Sequence, residues 1–471
     1  MPMLTRARSA LRRAEERTRP EQRTLAARLA ERWAGLPPWL RTANQSIGRR
    51  TAGCEGTHGV FPRCNLACTP CYHGAEANRV RIDGEHTRRE VARQMDQLDD
   101  RRGPWQNVQL IGGEVTLLGP EAHGDALETM VRRRRKPMSM THGDVDYDYL
   151  RRLALRSDGS RRFKRLIFAA HFDSLMFGRR GAERPESERA LHAHRARFVA
   201  HLGRLRREHG VSSYLAHNMT VTPANLDQVP ELVRSCARQG WRMMSFQPAA
   251  FQGNSKRWKE SYRDIDGDDV WGAIERGVGS RLPYRAVQVG DVRCNRSSQG
   301  LFVRDRWIPL LDDRDPRDLR TRDAVFRQLG GLNWEVRPSL ALLRVGRAVV
   351  THPSTAPLAA AWAVRLARRG GGLRHLLRSE VRPVTFVMHR FMDAKEVRPA
   401  WSLLERGRWS EEPQEREIQE RLLGCSYHMA HPETGRLVPA CAQHAVFDPI
   451  DNRRLAGLLP LDGDPQAVNG R

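Results

Sequence analysis

The chain has 471 residues, 39% hydrophobic and 29% charged, with a formal net charge of +25. This is a globular composition, long enough for two or three domains around a large buried core. No stretch approaches the roughly 18–20 uninterrupted apolar residues of a spanning helix, which excludes an integral membrane protein of that kind.

Residues 1–50 read as a basic helical arm, broken at Pro37 and Pro38. The opening residues lack the apolar core of a secretory signal, so a cytoplasmic protein is expected. From about 57 to 250, strand-like and helix-like segments alternate. The strand candidates are 59–62, 108–111, 137–141, 165–172, 213–222 and 242–248. Between them lie helical stretches at 86–99, 121–134, 190–209 and 230–239, the last stopped by Gly240. Such alternation predicts an α/β fold with a parallel sheet or partial barrel over 51–255. In these folds chemistry belongs at the carboxyl ends of the strands. Residues 256–378 read as a loop-rich, basic region. Within it, 338–378 mixes apolar faces with arginine, as a helix on a membrane surface does or as a helix packed on the barrel does. A last unit, 379–471, carries Cys425 and Cys441.

The positive charge is almost all arginine, since lysine occurs only at 136, 164, 256, 259 and 395. It is spread along the chain rather than gathered into one stripe, so a solvated surface and an anionic partner both remain open. The signatures that read RNA or DNA, including a zinc finger and an RNP-like aromatic strand, are absent, which argues against a nucleic-acid partner.

Eight cysteines stand at 54, 64, 68, 71, 236, 294, 425 and 441. In a cytoplasmic chain, clustered cysteines point to metal ligation or catalysis before disulfides. The stretch PRCNLACTPCYHG places Cys64, Cys68 and Cys71 in one short loop. Three thiolates can hold a [4Fe–4S] cube and leave one iron open for another ligand. Zinc would ask for a fourth cysteine or histidine nearby, and His73 is too close to Cys71 to serve comfortably. Cys236, inside ELVRSCARQG, reads as a core residue.

The Cys-x3-Cys-x2-Cys spacing, Asn65 after the first cysteine and Tyr72 after the third resemble the radical S-adenosylmethionine (SAM) superfamily. Gly112, Gly113 and Glu114 in LIGGEVTLLGPE extend the resemblance. It implies a partial (β/α)6 TIM-like barrel with an N-terminal helical arm and a C-terminal extension. It also implies a [4Fe–4S] cluster on Cys64, Cys68 and Cys71, with SAM chelating the open iron and cleaved reductively to a deoxyadenosyl radical. By the same resemblance, Tyr72, Gly112, Gly113, Glu114, Thr141, His171, Asp173 and Asn218 contact SAM. Thr141-His142-Gly143 stands where the family often has Thr-Asn-Gly, and His171 where a serine is frequent. Glu114, Asn218 and Gln247 are the candidate catalytic groups; for Asn218, Asp173 and Gln247 a satisfied core polar group is the alternative.

Three further stretches, MMSFQPAAFQG, VMHRFMDAKEV and RLLGCSYHMAHPETGRLVPACAQHAVF, are similar to the MoaA/NifB/PqqE-like branch containing tetraether lipid synthase-type proteins. That likeness implies hydrogen abstraction from an unactivated C–H bond of a lipid alkyl chain, contact with the inner face of the membrane, and a reductant such as flavodoxin or ferredoxin. Cys425 and Cys441 flank an expected hairpin with turn residues at 432–435. Together with Cys294 as third ligand and Cys54 as fourth, they suggest an auxiliary Fe–S cluster, with His428 and His431 as substitute ligands or acid/base groups; small buried side chains are the alternative reading of these cysteines. Two other readings stay open. One is a radical SAM maturase of a peptide or small metabolite; the other is a non-catalytic metal-binding module on a nucleic-acid-binding protein.

Overall fold

The computed structural model describes residues 6–7, 9–10, 22–50, 53–71, 73, 75–103, 106–253, 255–329, 343, 346–347, 350–431 and 433–461. Tyr72, parts of the N-terminal arm and much of 338–349 lie outside the described residues.

The strands are, in chain order, β1 (Cys54–Gly56), β2 (Ala67–Cys68), β3 (Asn107–Leu110), β4 (Lys136–Thr141), β5 (Arg165–His171), β6 (Met176–Phe177) and β7 (Ser212–Val221). They continue with β8 (Met243–Pro248), β9 (Asn295–Val303), β10 (Arg306–Pro309), β11 (Val381–His389), β12 (Tyr427–Ala430) and β13 (Leu437–Pro439). All but β2 and β6 belong to one 11-stranded sheet, ordered β10-β9-β11-β8-β7-β5-β4-β3-β1-β12-β13. From β12 through β1, β3, β4, β5, β7 and β8 to β11, neighbours pair in parallel. Antiparallel β9, β10 and β13 finish the two edges.

Five of the expected strands form within a residue or so of their predicted bounds. Each is an apolar run bounded by turn residues, and most of β5 and β7 is buried, as a parallel strand covered on both faces should be. The first expected strand, 59–62, is a loop, and β1 lies just before it at Cys54–Gly56. In β1 the buried Glu55 sits 3.6 Å from Arg135 and 3.9 Å from Arg102, so ion pairing rather than apolar content places this strand inside. Helices Gly84–Arg102, Pro120–Arg132, His192–His209 and Val229–Gln239 pack on the sheet as predicted. Asp83 caps the first of these by accepting from the His86 N–H at 2.8 Å.

The main core joins Val91, Met95, Met130, Phe168, Phe198 and Trp241 to the strand residues Val108, Leu110 and Phe246. A second core surrounds Trp401, Val397, Ile418, Leu422 and Val438 and includes Cys441. The hairpin expected between Cys425 and Cys441 is present as β12 and β13, with His428 paired to Pro439. Residues 256–329 hold more regular structure than their charge suggested. They form helices Gly267–Val278 and Pro316–Leu329 as well as β9 and β10, because Val270, Trp271 and Ile274 face the main core.

Candidate active site

Past the carboxyl end of β1, residues 57–63 lead into the cysteine loop, and past the end of β3 comes Gly112-Gly113-Glu114. The two segments are laced together: the Gly113 N–H donates to Phe61 O at 2.8 Å and the Glu114 N–H to Arg63 O at 2.9 Å. Their backbones approach so closely that a Cβ on Gly113 would lie 2.1 Å from Arg63 O, and one on Gly112 would lie 2.5 Å from Phe61 Cδ2. Glycine is required here by contact rather than by turn geometry. The loop is then folded back by a short ribbon, β2 against β6, in which Cys68 pairs with Met176. The Thr69 N–H donates to Leu175 O at 3.0 Å and Thr69 Oγ1 donates to Arg257 O at 3.2 Å.

This folding closes a cavity of about 180 Å³ lined by Cys64, Cys68, Cys71, Gly112, Gly113, Glu114, Thr141, His142, His171, Asp173, Thr220 and Arg257. Burial pushes the Cys64 thiol up to about 12, with the charge of Glu114 and the neighbouring Cys71 adding to the cost of ionisation. Burial also raises Cys68 well above the ordinary thiol range, with Cys71 and Asp173 contributing, and raises Cys71. Thiols so placed are neutral on their own and become thiolates when a cation offsets the burial. Three such thiols around one cavity, facing a glycine-rich wall, fit a [4Fe–4S] cluster with an open iron.

Glu114 is almost fully buried, yet its carboxylate is held on all sides. Oε1 accepts from Thr116 N at 3.0 Å, Thr116 Oγ1 at 2.7 Å and Thr141 Oγ1 at 2.7 Å, and Oε2 accepts from His142 N at 2.7 Å. A carboxylate offers about four lone-pair sites, two on each oxygen, so Oε2 retains capacity for a cationic donor in the cavity. His142 is held below its ordinary value by burial, against the opposing pull of Glu114, and is therefore a neutral imidazole. Asp173 accepts from the N–H groups of Leu175 and Thr220, both at 3.0 Å, and lies 2.7 Å from His171 Nε2. Burial works to raise Asp173, but His171 and these backbone donors more than offset it and hold the carboxyl below the usual range.

Two sequence candidates lie elsewhere. Asn218 pairs with His171 and Ser245 within the sheet, and Gln247 pairs with Thr220 and donates to Ser245 Oγ at 2.8 Å. Neither lines the 180 Å³ cavity. Tyr72 is outside the described residues. Arg257, Thr220 and the Asn65–His142 pair were missed from sequence. Arg257 reaches back from a short turn beyond β8, and only its place soon after the FQG turn hinted at it.

Cys54 and Cys425 line a cavity of about 480 Å³ with Arg28, Arg32, Arg101, Arg102, Glu55 and His428. Burial pushes Cys294 up to about 11, with Arg421 opposing; Arg421 Nε donates to its sulfur at 3.1 Å. Burial also raises Cys441, with the charges of Cys425 and Cys294 adding to the effect. These three are thus close enough to repel one another as thiolates. Cys236 is buried in the main core, as read from sequence.

No family model matches the chain, and no curated protein matches it. Solved structures similar to it include SuiB of Streptococcus suis bound to S-adenosylmethionine, at 15% identity and a TM-score of 0.33, covering 48% of this chain and 46% of that one. The same protein bound to precursor peptide SuiA matches at 15% identity and a TM-score of 0.29, covering 41% of this chain and 38% of that one. A third, anSMEcpe with bound AdoMet, matches at 14% identity and a TM-score of 0.29, covering 41% of this chain and 50% of that one. The chain thus spans half or less of the length of each of these structures.

Proposed function

We propose that the chain is a radical SAM enzyme, with β1, β3, β4, β5, β7 and β8 curved as a partial (β/α)6 barrel around the 180 Å³ cavity. The observation that carries this reading is the convergence of Cys64, Cys68 and Cys71 on the same cavity wall as Gly112, Gly113, Glu114, Thr141 and Asp173. The three cysteines would hold the cluster. Gly112 and Gly113 present bare backbone to the methionine end of SAM, and Glu114 Oε2 receives its ammonium. When bound, cluster and SAM supply one-electron reductive cleavage and a carbon radical able to abstract hydrogen from an unactivated C–H bond. Buried walls keep water and other quenchers from that step. Asn218 on β7 and Gln247 on β8, two residues apart in register, would line the path to substrate. Cys294, Cys425 and Cys441, with Cys54, would carry an auxiliary Fe–S cluster.

The substrate reading is a lipid alkyl chain. It is favoured by an exposed apolar and basic edge at Leu373 and Leu377, which are 65% and 78% exposed. A peptide or small-metabolite substrate is the alternative within the same chemistry. Flavodoxin or ferredoxin would serve as reductant. The test is anaerobic reconstitution with iron and sulfide, followed by dithionite and SAM. Release of 5′-deoxyadenosine that Cys68→Ala abolishes is expected; a wild type that holds zinc and no sulfide would end the proposal.

A further inference from the structure

A second group of ligand-type side chains lies behind the glycine wall, away from the cysteines. His58 follows β1, His431 follows β12, and Asp451 sits in the helix Asp448–Leu458; all three are buried. Among the described residues this is the set of three whose ligand atoms all lie within 4.8 Å of one another. His58 Nδ1 is 3.5 Å and His431 Nε2 is 3.7 Å from the same atom, Asp451 Oδ2. The two imidazole rings stack with centroids 5.0 Å apart.

These separations are too long for hydrogen bonds. Accordingly, His431 Nε2 and Asp451 Oδ2 are buried without a hydrogen-bond partner, as are His58 Nε2 and Gln443 Oε1. Buried polar atoms are nearly always satisfied, so the two orphans that face each other, His431 Nε2 and Asp451 Oδ2, call for a missing ligand. The separations instead match the edges of a coordination tetrahedron. Zinc bonds of about 2.0–2.2 Å place neighbouring ligands about 3.4 Å apart. Outer partners are present as well. The Thr434 N–H donates to His431 Nδ1 at 3.3 Å and Thr434 Oγ1 lies 3.2 Å from the same nitrogen, so this side of the ring is held and Nε2 is turned toward Asp451. Gln443 Nε2 lies 2.6 Å from His58 Nδ1 and 2.8 Å from Asp448 Oδ1.

We propose that His58, His431 and Asp451 form a buried site for one divalent transition metal of the zinc class. His58 is far along the chain from the other two ligands, so the ion would clamp the helix Asp448–Leu458 and the end of the β12 segment to the segment leaving β1. His58 and Asp448 also line a small cavity with Gly112, so the clamp braces the back of the glycine wall.

The test uses full-length chain carrying Cys64→Ala, Cys68→Ala and Cys71→Ala, so that the cysteine loop cannot contribute. After chelation and equilibrium dialysis against zinc, metal content is read by mass spectrometry with and without Asp451→Asn and, separately, His431→Ala. About one zinc per chain should be lost in each, with the far-ultraviolet spectrum unchanged. Cobalt(II) added to the same triple variant should give tetrahedral visible bands of nitrogen and oxygen ligation that Asp451→Asn removes, while any sulfur-to-metal charge transfer from Cys54, Cys294, Cys425 and Cys441 is unchanged; this readout does not depend on how the His431 variant folds. Unchanged zinc content in Asp451→Asn, or cobalt bands of purely thiolate type, would overturn the site. Neither result bears on the radical SAM reading, because the cluster ligands are already removed.

Discussion

His142 Nε2 lies 2.9 Å from Asn65 Oδ1, while the His142 N–H holds Glu114 Oε2 at 2.7 Å. One residue at the end of β4 thus ties the cysteine loop to the carboxylate of the glycine wall. Removing a partner from a buried hydrogen bond costs about 1–3 kcal/mol. His142→Ala should therefore weaken SAM binding about tenfold, the equivalent of about 1.4 kcal/mol. His142→Gln should recover part of the loss. Calorimetry with SAM on reconstituted protein measures both, and equal affinities for wild type and His142→Ala would remove the tie from the argument.

Gly113 leaves no room for a side chain, with Arg63 O 2.1 Å from where a Cβ would lie. Backbone cannot swing aside as a flexible side chain can. Overpacking of this kind costs about 1–3 kcal/mol or more. Gly113→Ala should lower the melting temperature by several degrees and separate the loop from the wall, so that reconstituted iron falls below wild type. Thermal unfolding and iron assay read the two effects independently, and a variant matching wild type in both would show the approach to be looser than described.

The strands that sequence revealed are those with continuous apolar runs. β5 and β7 are examples, and the ends of β4 and β5 carry Thr141, His171 and Asp173 to the same cavity. The three-residue β1 could not be read this way. Its middle residue is a glutamate, buried only because Arg135 and Arg102 arrive from elsewhere in the chain. The apolar 59–62 stretch looked like the strand but serves as the loop that receives Gly113. Membership of β11 and β12 in the same sheet was illegible for a related reason, since pairing between residues hundreds apart leaves no local period. Arg257, and the meeting of His58, His431 and Asp451, depend on the same kind of long-range closure.

The cysteine thiols give the metal-free protein a pH signature. Cys64 in the folded chain is pushed by burial from the ordinary 9.0 up to about 12. A raised value means that folding favours the protonated thiol. The associated stability is fully present below pH 9 and is lost as pH rises toward 12. Chemical denaturation of metal-free protein at about pH 8 and about pH 10.5 should show a larger loss for wild type than for Cys64→Ala. Cluster loading should move the opposite way, becoming tighter as pH rises, because the ligand is the thiolate. Parallel pH profiles for wild type and Cys64→Ala would contradict the burial described.

Among the described residues no helix is long and apolar enough to cross a membrane. The helix Thr355–Arg369 is instead fastened along one face: Trp362 Nε1 donates to Leu310 O at 2.8 Å, and Arg369 pairs with Asp318 at 2.6 Å. Val364, Leu373 and Leu377 stay outside, 50%, 65% and 78% exposed, beside the exposed Arg368, Arg374 and Arg378. Each such arginine contributes about 1 kcal/mol near an anionic bilayer. The protein should sediment with phosphatidylserine vesicles at low salt and be released as the Debye length falls from about 10 Å at 0.1 M to about 3 Å at 1 M. Leu373→Asp with Leu377→Asp should reduce binding even at low salt. Failure of wild type to sediment at low salt would leave the peptide or metabolite substrate as the better reading.

Iron content distinguishes one cluster from two. Arg421 Nε donates to Cys294 Sγ at 3.1 Å, and Arg421 Nη2 is buried with no hydrogen-bond partner. A guanidinium so placed would favour a negatively charged thiolate cluster at Cys294, Cys425 and Cys441, yet it could equally serve to neutralise Cys294 alone. A [4Fe–4S] cube carries four irons, so two cubes give about eight per chain and one gives about four. If both are present, Cys68→Ala and Cys441→Ala should each remove about half of the iron, and the double variant nearly all. If only the loop cluster exists, Cys441→Ala should leave iron at the wild-type level while Cys68→Ala removes it. The second outcome would return Cys441 to the role its surroundings already support, a small buried side chain packed with Val438 and Leu422.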